Sequence, residues 1–425
     1  MTCQLILGNG FGVAIASDSA QTGSDAYGRQ RTYETAEKIH PVGPPHLLAV
    51  LGCGTVHFFG MPVGVLVDEW MHSLGNKRLR SVDGYRDNFL AWMDDNLDNW
   101  ADSRVRDNAA FDAAVRRVKF LYEEVICNAI RGAQEVHQPD LVLSALRRYN
   151  EELSGRQALD PTLVTMVDDF FALWSHEGDE DPPRQALGEL LENWFDDVPR
   201  SAEIDAEILR FLKLTVEKGH NFPVHYGDGT ELNFVGFGDK DQVPAMARVE
   251  LNGALDNHVV RRLLPTRVAH RQDSSYALIQ PLAQRDMIDV ILRGRDRSLL
   301  REAAKSAIEW SIGAIDEPVE QREGSRDPAT SDTAEEESAT PENFVETFVE
   351  TLEREVEQRS QKRYVGPALS NIAGVPLATL AELARSLVSV QNLAQNIRGE
   401  LQTVGGDIDV ATITLNEGFR WVSHA

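Results

Sequence analysis

The stretch MTCQLILGNGFGVAIASDSAQT, residues 1–22, decides how the chain is read. Residues 2–8 (TCQLILG) and 12–17 (GVAIAS) are short apolar runs separated by Gly8-Asn9-Gly10. Runs of that length around a Gly/Asn turn that favours positive φ describe a two-stranded antiparallel hairpin. A threonine directly follows Met1, so the strand opens at once. Working outward, residues 36–42 (AEKIHPV) and 46–54 (HLLAVLGCG) predict a second strand pair, broken by Pro44-Pro45. Residues 55–74 (TVHFFGMPVGVLVDEWMHSL) are apolar around most of a helical circumference. A helix packed on both sides is expected there, with Pro62 in its first turns or at a kink.

From Tyr85 to Lys218 the pattern changes. The segments 85–100, 109–130, 139–153, 161–174, 185–195 and 202–216 all place apolar residues three and four apart, as amphipathic helices do. Residues 85–219 therefore read as a helical insertion into a discontinuous core of 1–84 and 220–425. Its Trp- and Phe-bearing faces suit self-packing better than ligand binding. Strand character resumes at 232–238 (LNFVGFG), turns through Asp239–Pro244 and continues at 245–251 (AMARVEL). Residues 275–292 begin as strand and end as helix, and 299–315 read as helix. Residues 316–343 are acidic, rich in Ser, Thr and Pro and almost free of large apolar side chains, the composition of a flexible linker. Helices over 344–359 and 375–397 and a terminal hairpin turning at Asn416-Glu417-Gly418 complete the pass. No internal repeat is evident.

The 425 residues suit one large domain or two. A formal charge of −25 repels phosphate backbones, so nucleic acid is not expected as a partner. No apolar run is long enough to span a bilayer, and the first residues lack the basic flank of a signal peptide. A cytoplasmic protein is expected. Cys3, Cys53 and Cys127 lack CxxC spacing, which argues for reduced thiols. His40, His46 and His57 lack metal-ligand spacing, and neither metal nor cofactor is expected. GNGFG lacks the third glycine of a dinucleotide loop, since Val13 stands in its place and strand follows. A nucleotide-binding oxidoreductase is accordingly the weakest of three functional readings.

Removal of Met1 would leave Thr2 with a hydroxyl and a free α-amine on one residue. The amine titrates near roughly 7.7–8.0 and can serve as base for its own hydroxyl. Such a site needs a nearby cation, and a carboxylate to fix that cation. Asp18 ends the second strand sixteen residues after Thr2, and Lys38 opens the next strand region. A returning hairpin brings the end of strand two back beside the chain start. Backbone N–H groups in the Gly52-Cys53-Gly54 turn are candidates for an oxyanion site. Cys3 competes as nucleophile only if two residues are removed, and a buried structural thiol is the simpler reading of it.

Thr2, the GNG turn, VAIASDS with Asp18, AEKI with Lys38, LLAVLGCG and the final GGDIDVATIT…GFRW resemble the proteasome β-subunit branch of N-terminal-nucleophile (Ntn) hydrolases, in particular its ancestral bacterial members. The likeness covers about residues 1–80, 230–315 and 375–425. The Thr2–Asp18 spacing equals that of the family, and the Thr2–Lys38 spacing is four residues longer. The resemblance implies an α+β fold, a four-layer αββα sandwich carrying the helical insertion. It assigns Thr2 as nucleophile and base, Asp18 as the group orienting Lys38, Lys38 as the group lowering the nucleophile's pKa, and the Cys53 backbone N–H as oxyanion donor. The family also keeps an aspartate and a serine near its last strand pair and a serine before it. Here ELQTVGGD puts Leu401 and Val404 at the first two positions and leaves Thr403 nearby, while Ser274 or Ser275 stands for the third. The implied activity is hydrolysis of amide bonds in a peptide or protein substrate, in a homo-oligomeric ring or related assembly, with any unfoldase partner unknown. A catalytically silent scaffold of the same fold is the leading alternative.

Overall fold

The computed structural model describes residues 2–24, 30–33, 36–55, 57–131, 138–156, 201–218, 229–272, 275–294, 303–304, 341–398 and 404–424. The expected helices over 161–174 and 185–195, and nearly all of the expected helix over 299–315 and the acidic linker, lie outside these residues.

The chain mixes helices with antiparallel sheets. It opens with β1 (Cys3–Asn9) and β2 (Gly12–Asp18), joined by a two-residue turn because Asn9 pairs with Gly12. Asn9 fixes that turn: its Oδ1 accepts from the Phe11 N–H at 2.9 Å, and its Nδ2 donates to the carbonyls of Ile372 and Val375 at 2.9 and 2.8 Å. Gly12 has φ +151, and a Cβ there would stand 2.6 Å from the Ile413 carbonyl oxygen, so only glycine lets the last strand pair approach.

Next come β3 (Gln21–Ser24) and β4 (Gln30–Tyr33), a small hairpin, then β5 (Ile39–Val42) and β6 (Leu47–Gly54). The pair β7 (His57–Phe58) and β8 (Met61–Pro62) precedes helix α1 (Val63–Leu74). The expected helix over 55–74 thus starts late. Pro62 caps it in an extended conformation, as a residue without an N–H suits a helix start.

Six further helices follow the chain through α2 (Val82–Asn96), α3 (Ser103–Phe120), α4 (Cys127–Ile130), α5 (Gln138–Ser154), α6 (Ala202–Lys218) and, after more strands, α7 (Asp286–Arg293). The intervening strands are β9 (Thr230–Phe237), β10 (Ala245–Leu255), β11 (His258–Val268), β12 (His270–Gln272) and β13 (Ser275–Ala283). The chain then forms α8 (Pro341–Ser360), α9 (Gly366–Ala373) and α10 (Leu377–Arg398), and closes with β14 (Ile408–Thr414) and β15 (Gly418–Ser423).

One sheet has the order β12-β13-β1-β2-β14-β15 and the other β11-β10-β9-β6-β5. Alternation along the strands sorts their side chains into separate apolar clusters. Ile6, Val13 and Ile15 of the first sheet meet Ala49, Leu51, Val235 and Met246 of the second. On its other side, the second sheet packs Val50, Phe234 and Val249 against Trp70 of α1 and Tyr85 and Phe89 of α2. The first sheet packs Leu5, Leu7, Ala14 and Ala16 against Ile288 of α7 and Leu380, Ala384 and Val388 of α10.

Helices α3, α5 and α6 gather around a fourth cluster that includes Val118, Leu146, Ile208 and Phe211, and this cluster meets the sheet at Leu255 and Val260. Helix α2 packs with α1 on the second sheet. Among the described residues no helix is long and apolar enough to cross a membrane.

Candidate active site

Thr2 is buried, and its carbonyl accepts the Gln284 N–H at 2.9 Å, continuing the β1–β13 ladder that pairs Cys3 with Ala283. Along β1, Cys3, Leu5 and Leu7 join the cluster on the α10 side, whereas Ile6 joins the cluster shared by the two sheets. The two-residue period therefore turns Gln4 and Thr2 toward the second sheet, and Cys3 away from it. Burial pushes the Cys3 thiol far above its ordinary range, with Asp18 adding to the rise. A neutral thiol facing the helices is no rival to Thr2.

Asp18 ends β2 with a side chain excluded from solvent. Its Oδ1 accepts from the Cys3 N–H and from Lys38 Nζ, both at 2.8 Å, and its Oδ2 accepts from the Gly405 N–H at 3.3 Å. Lys38 is 2 % exposed, and its ammonium also donates to the Ala20 carbonyl at 2.5 Å. An unpaired ammonium in this interior would carry a large desolvation cost, so the carboxylate is what keeps the charge there. Burial raises the Asp18 pKa, while the Lys38 charge and the donors at Cys3 and Gly405 pull it down. Gly405 is a site residue that sequence reasoning passed over. The only signal was its place in the Gly-Gly pair before the terminal hairpin.

The structure brings Asp18 and Lys38 into contact and sets Thr2 next to Cys3, whose N–H Asp18 holds. Cys53 takes a different position from the expected turn: β6 continues through it, with Cys53 paired to Glu231 and Gly54 to Thr230. The Thr55 N–H donates to Gly229 at 3.4 Å, and strand alternation puts the Cys53 N–H on that same β9 side. The Gly52 N–H points the other way, to the Lys38 carbonyl at 3.1 Å. Gly54, two residues on, directs its N–H toward that Lys38 edge. It has φ +82, and a Cβ would stand 2.3 Å from the Gly229 carbonyl oxygen.

The Cys53 side chain turns into the space between the sheets, where Sγ donates to Gln4 Oε1 at 2.9 Å and accepts from Asn233 Nδ2 at 3.7 Å. Gln4 Nε2 donates to Ser17 Oγ at 3.2 Å and to the Gly52 carbonyl at 3.1 Å. These bonds stitch β1 and β2 to β6 beneath the Lys38–Asp18 pair. Burial pushes the Cys53 thiol well above its ordinary range, with Glu231 adding to the rise.

Thr403 and Ser274 lie outside the described residues. Val404 is fully buried in the cluster beneath α10. His46 is engaged between the Tyr85 hydroxyl and the Gly75 carbonyl, each at 2.8 Å, and His40 packs against Gly64, so neither joins His57 in a common site. The oxidoreductase reading requires a helix after Gly12, and β2 begins there instead. Compared with protein-family models and with curated proteins, the chain has no significant match.

Proposed function

We propose that the chain is an N-terminal threonine amidohydrolase of the proteasome β-subunit type, acting on peptide or protein substrates. The observation that carries this reading is the buried Lys38–Asp18 pair at the end of the hairpin that turns Thr2 toward the second sheet. The apolar clusters support the accompanying fold, an αββα arrangement of four layers with α3–α6 inserted.

In this mechanism, removal of Met1 frees the Thr2 α-amine. Thr2 Oγ attacks the substrate carbonyl as its proton passes to that amine, and Lys38 favours the developing alkoxide electrostatically. The oxyanion takes the Gly54 N–H at the Lys38 edge of β6, because the strand register turns the Cys53 N–H that the resemblance implies into the β6–β9 ladder. Collapse breaks the C–N bond, and the leaving nitrogen takes the proton from the ammonium of Thr2. Water then attacks the threonyl ester, giving its proton to the amine and regenerating the hydroxyl. The cycle calls for water and no cofactor. Assembly of copies into a ring or related oligomer belongs to the same reading, as does a cytoplasmic setting suited to the free thiols of Cys3, Cys53 and Cys127.

A silent scaffold is the second reading, favoured by the apolar Val404 at a position where the family keeps a polar residue. Mass analysis of the N-terminal peptide, paired with hydrolysis of a mixed peptide library, separates the two. The enzyme requires Thr2 as first residue and cleavage that disappears in Thr2→Ala. Retained Met1, or equal cleavage by the variant, rejects it.

A further inference from the structure

Ser19 is buried, and among the described residues its Oγ has no hydrogen-bond partner. A serine hydroxyl carries one donor and two acceptor lone pairs, and a buried polar atom without a partner calls for one.

Both ends of the β1–β2 hairpin run one residue past their outer ladders. Thr2 carries on the count that pairs Cys3 with Ala283, since its carbonyl accepts the Gln284 N–H at 2.9 Å. Ser19 carries on the count that pairs Asp18 with Ile408, since its N–H donates to the Asp407 carbonyl at 3.1 Å. Between the two strands Gln4 faces Ser17, and the Cys3 N–H meets Asp18 Oδ1 at 2.8 Å. The next step of that count sets Thr2 opposite Ser19. Residues opposed in an antiparallel pair share a face, with Cβ atoms about 4.5–5.5 Å apart. Two residues along the same face, Gln4 Nε2 donates to Ser17 Oγ at 3.2 Å, so this pairing already joins side chains across the hairpin.

The other acceptors around Thr2 are engaged. Asp18 Oδ1 holds the Cys3 N–H and Lys38 Nζ, and Oδ2 holds the Gly405 N–H. The Ala20 carbonyl takes Lys38 Nζ, and the Ser19 carbonyl takes the Ala36 N–H at 2.9 Å. Ser19 Oγ stays open.

We propose that Ser19 is a positioning residue: its Oγ accepts a hydrogen bond from the Thr2 α-amine that removal of Met1 frees, which aims the nitrogen lone pair at Thr2 Oγ. This role rests on the amidohydrolase reading and names the group that orients its base. The charges that bear on the amine are Lys38 and Asp18, with Asp286 at the start of α7, whose charge reaches Cys3. Ser19 adds a neutral acceptor, which an ammonium engages more strongly than an amine does.

The test is Ser19→Ala in the full chain, assayed on a peptide that the wild type cleaves. The kcat should fall about 10-fold or more, the worth of one charged hydrogen bond, with KM little changed. Without the acceptor the ammonium is less favoured, so the acidic limb of kcat/KM should move to lower pH. Thermal unfolding gives a readout apart from turnover. In a chain kept unprocessed by an N-terminal extension, Ser19→Ala deletes an unpaired buried hydroxyl and should leave the midpoint unchanged or raise it. In the processed chain the same substitution should lower it. A wild type that cleaves no peptide would overturn the amidohydrolase reading and this role together. A wild type that cleaves, with Ser19→Ala matching it in kcat and acidic limb, would overturn the role of Ser19 alone, as would an equal midpoint shift in the two forms.

Discussion

The β1–β2 hairpin and the α3–α6 helices are held in contrasting ways. At the hairpin, partners arrive from remote parts of the chain: Asp18 binds Lys38 and Gly405, and Asn9 reaches Ile372 and Val375. In the helices, most polar contacts join one helix to the next, as when Asn150 Nδ2 donates to the Glu207 carboxylate at 2.8 Å and Arg147 pairs with Glu203, while Arg106 of α3 reaches Asn257 in the β10–β11 turn at 2.8 Å. The hairpin's groups depend on strand register, since a one-residue slip would exchange the faces of Thr2 and Cys3. The helices depend on filling one apolar cluster. The difference teaches where chemistry can be built: fixed register converges polar groups, while an apolar helical cluster places none of them.

The contrast is broken most severely by Lys38→Ala, which strands the Asp18 carboxyl in the interior. Removing one member of a buried pair costs about 3–5 kcal/mol, to be read from urea denaturation. The pH dependence gives the sign. With Lys38 gone, burial raises the Asp18 pKa unopposed by the ammonium. A carboxyl whose folded pKa lies above its unfolded value contributes stability at low pH and loses it as pH rises through the folded value. The deficit of Lys38→Ala against wild type should therefore be larger at pH 7.5 than at pH 5. A deficit that grows on acidification would argue against a buried carboxyl as its cause.

Phe211→Ala should cost about 3 kcal/mol or slightly more through the cavity it leaves in the helical cluster. Hydrogen exchange should quicken in α5 and α6 while the amides of β1 and β2 keep their protection. Equal loosening of the hairpin would show that the two regions unfold as one.

Asn9→Ala removes the turn bond and leaves the Ile372 and Val375 carbonyls without their donor, at about 1–3 kcal/mol. Exchange should rise at the β1–β2 turn and in α9. The smallest effect is expected from Ser81→Ala, since Ser81 Oγ accepts the Gly84 N–H at 3.2 Å as the N-cap of α2. Such a cap contributes about 1 kcal/mol. Thermal unfolding should detect it without any change in the hairpin's exchange.

Much of the strand framework is legible in the sequence where apolar runs flank a turn. The pairs β1–β2, β5–β6, β9–β10 and β14–β15 all carry that pattern. The strand β11 does not, because Arg261, Arg262, Pro265 and Arg267 give an edge strand the composition of a loop. The hairpin β3–β4 is equally hidden in polar residues. Pro62 marks a helix boundary, yet sequence alone leaves open whether it starts or kinks the helix. At the site, Asp18 and Lys38 can be singled out because each sits at a predicted strand end. The roles of Gly405 and the Gln4–Cys53 bond depend on cross-strand and cross-sheet register that no local pattern encodes. For the same reason, the edge to which each glycine N–H points near Cys53 emerges only from the pairing of β6 with β9.

The central claim is that Thr2, beside the Lys38–Asp18 pair, is a nucleophile. Its most direct test is treatment of the full-length protein with a peptide epoxyketone, followed by mass mapping of the adduct. The account predicts one adduct on the N-terminal peptide, located at Thr2 and absent from Thr2→Ala. An unmodified, correctly processed Thr2, or an adduct formed equally by the variant, would contradict it.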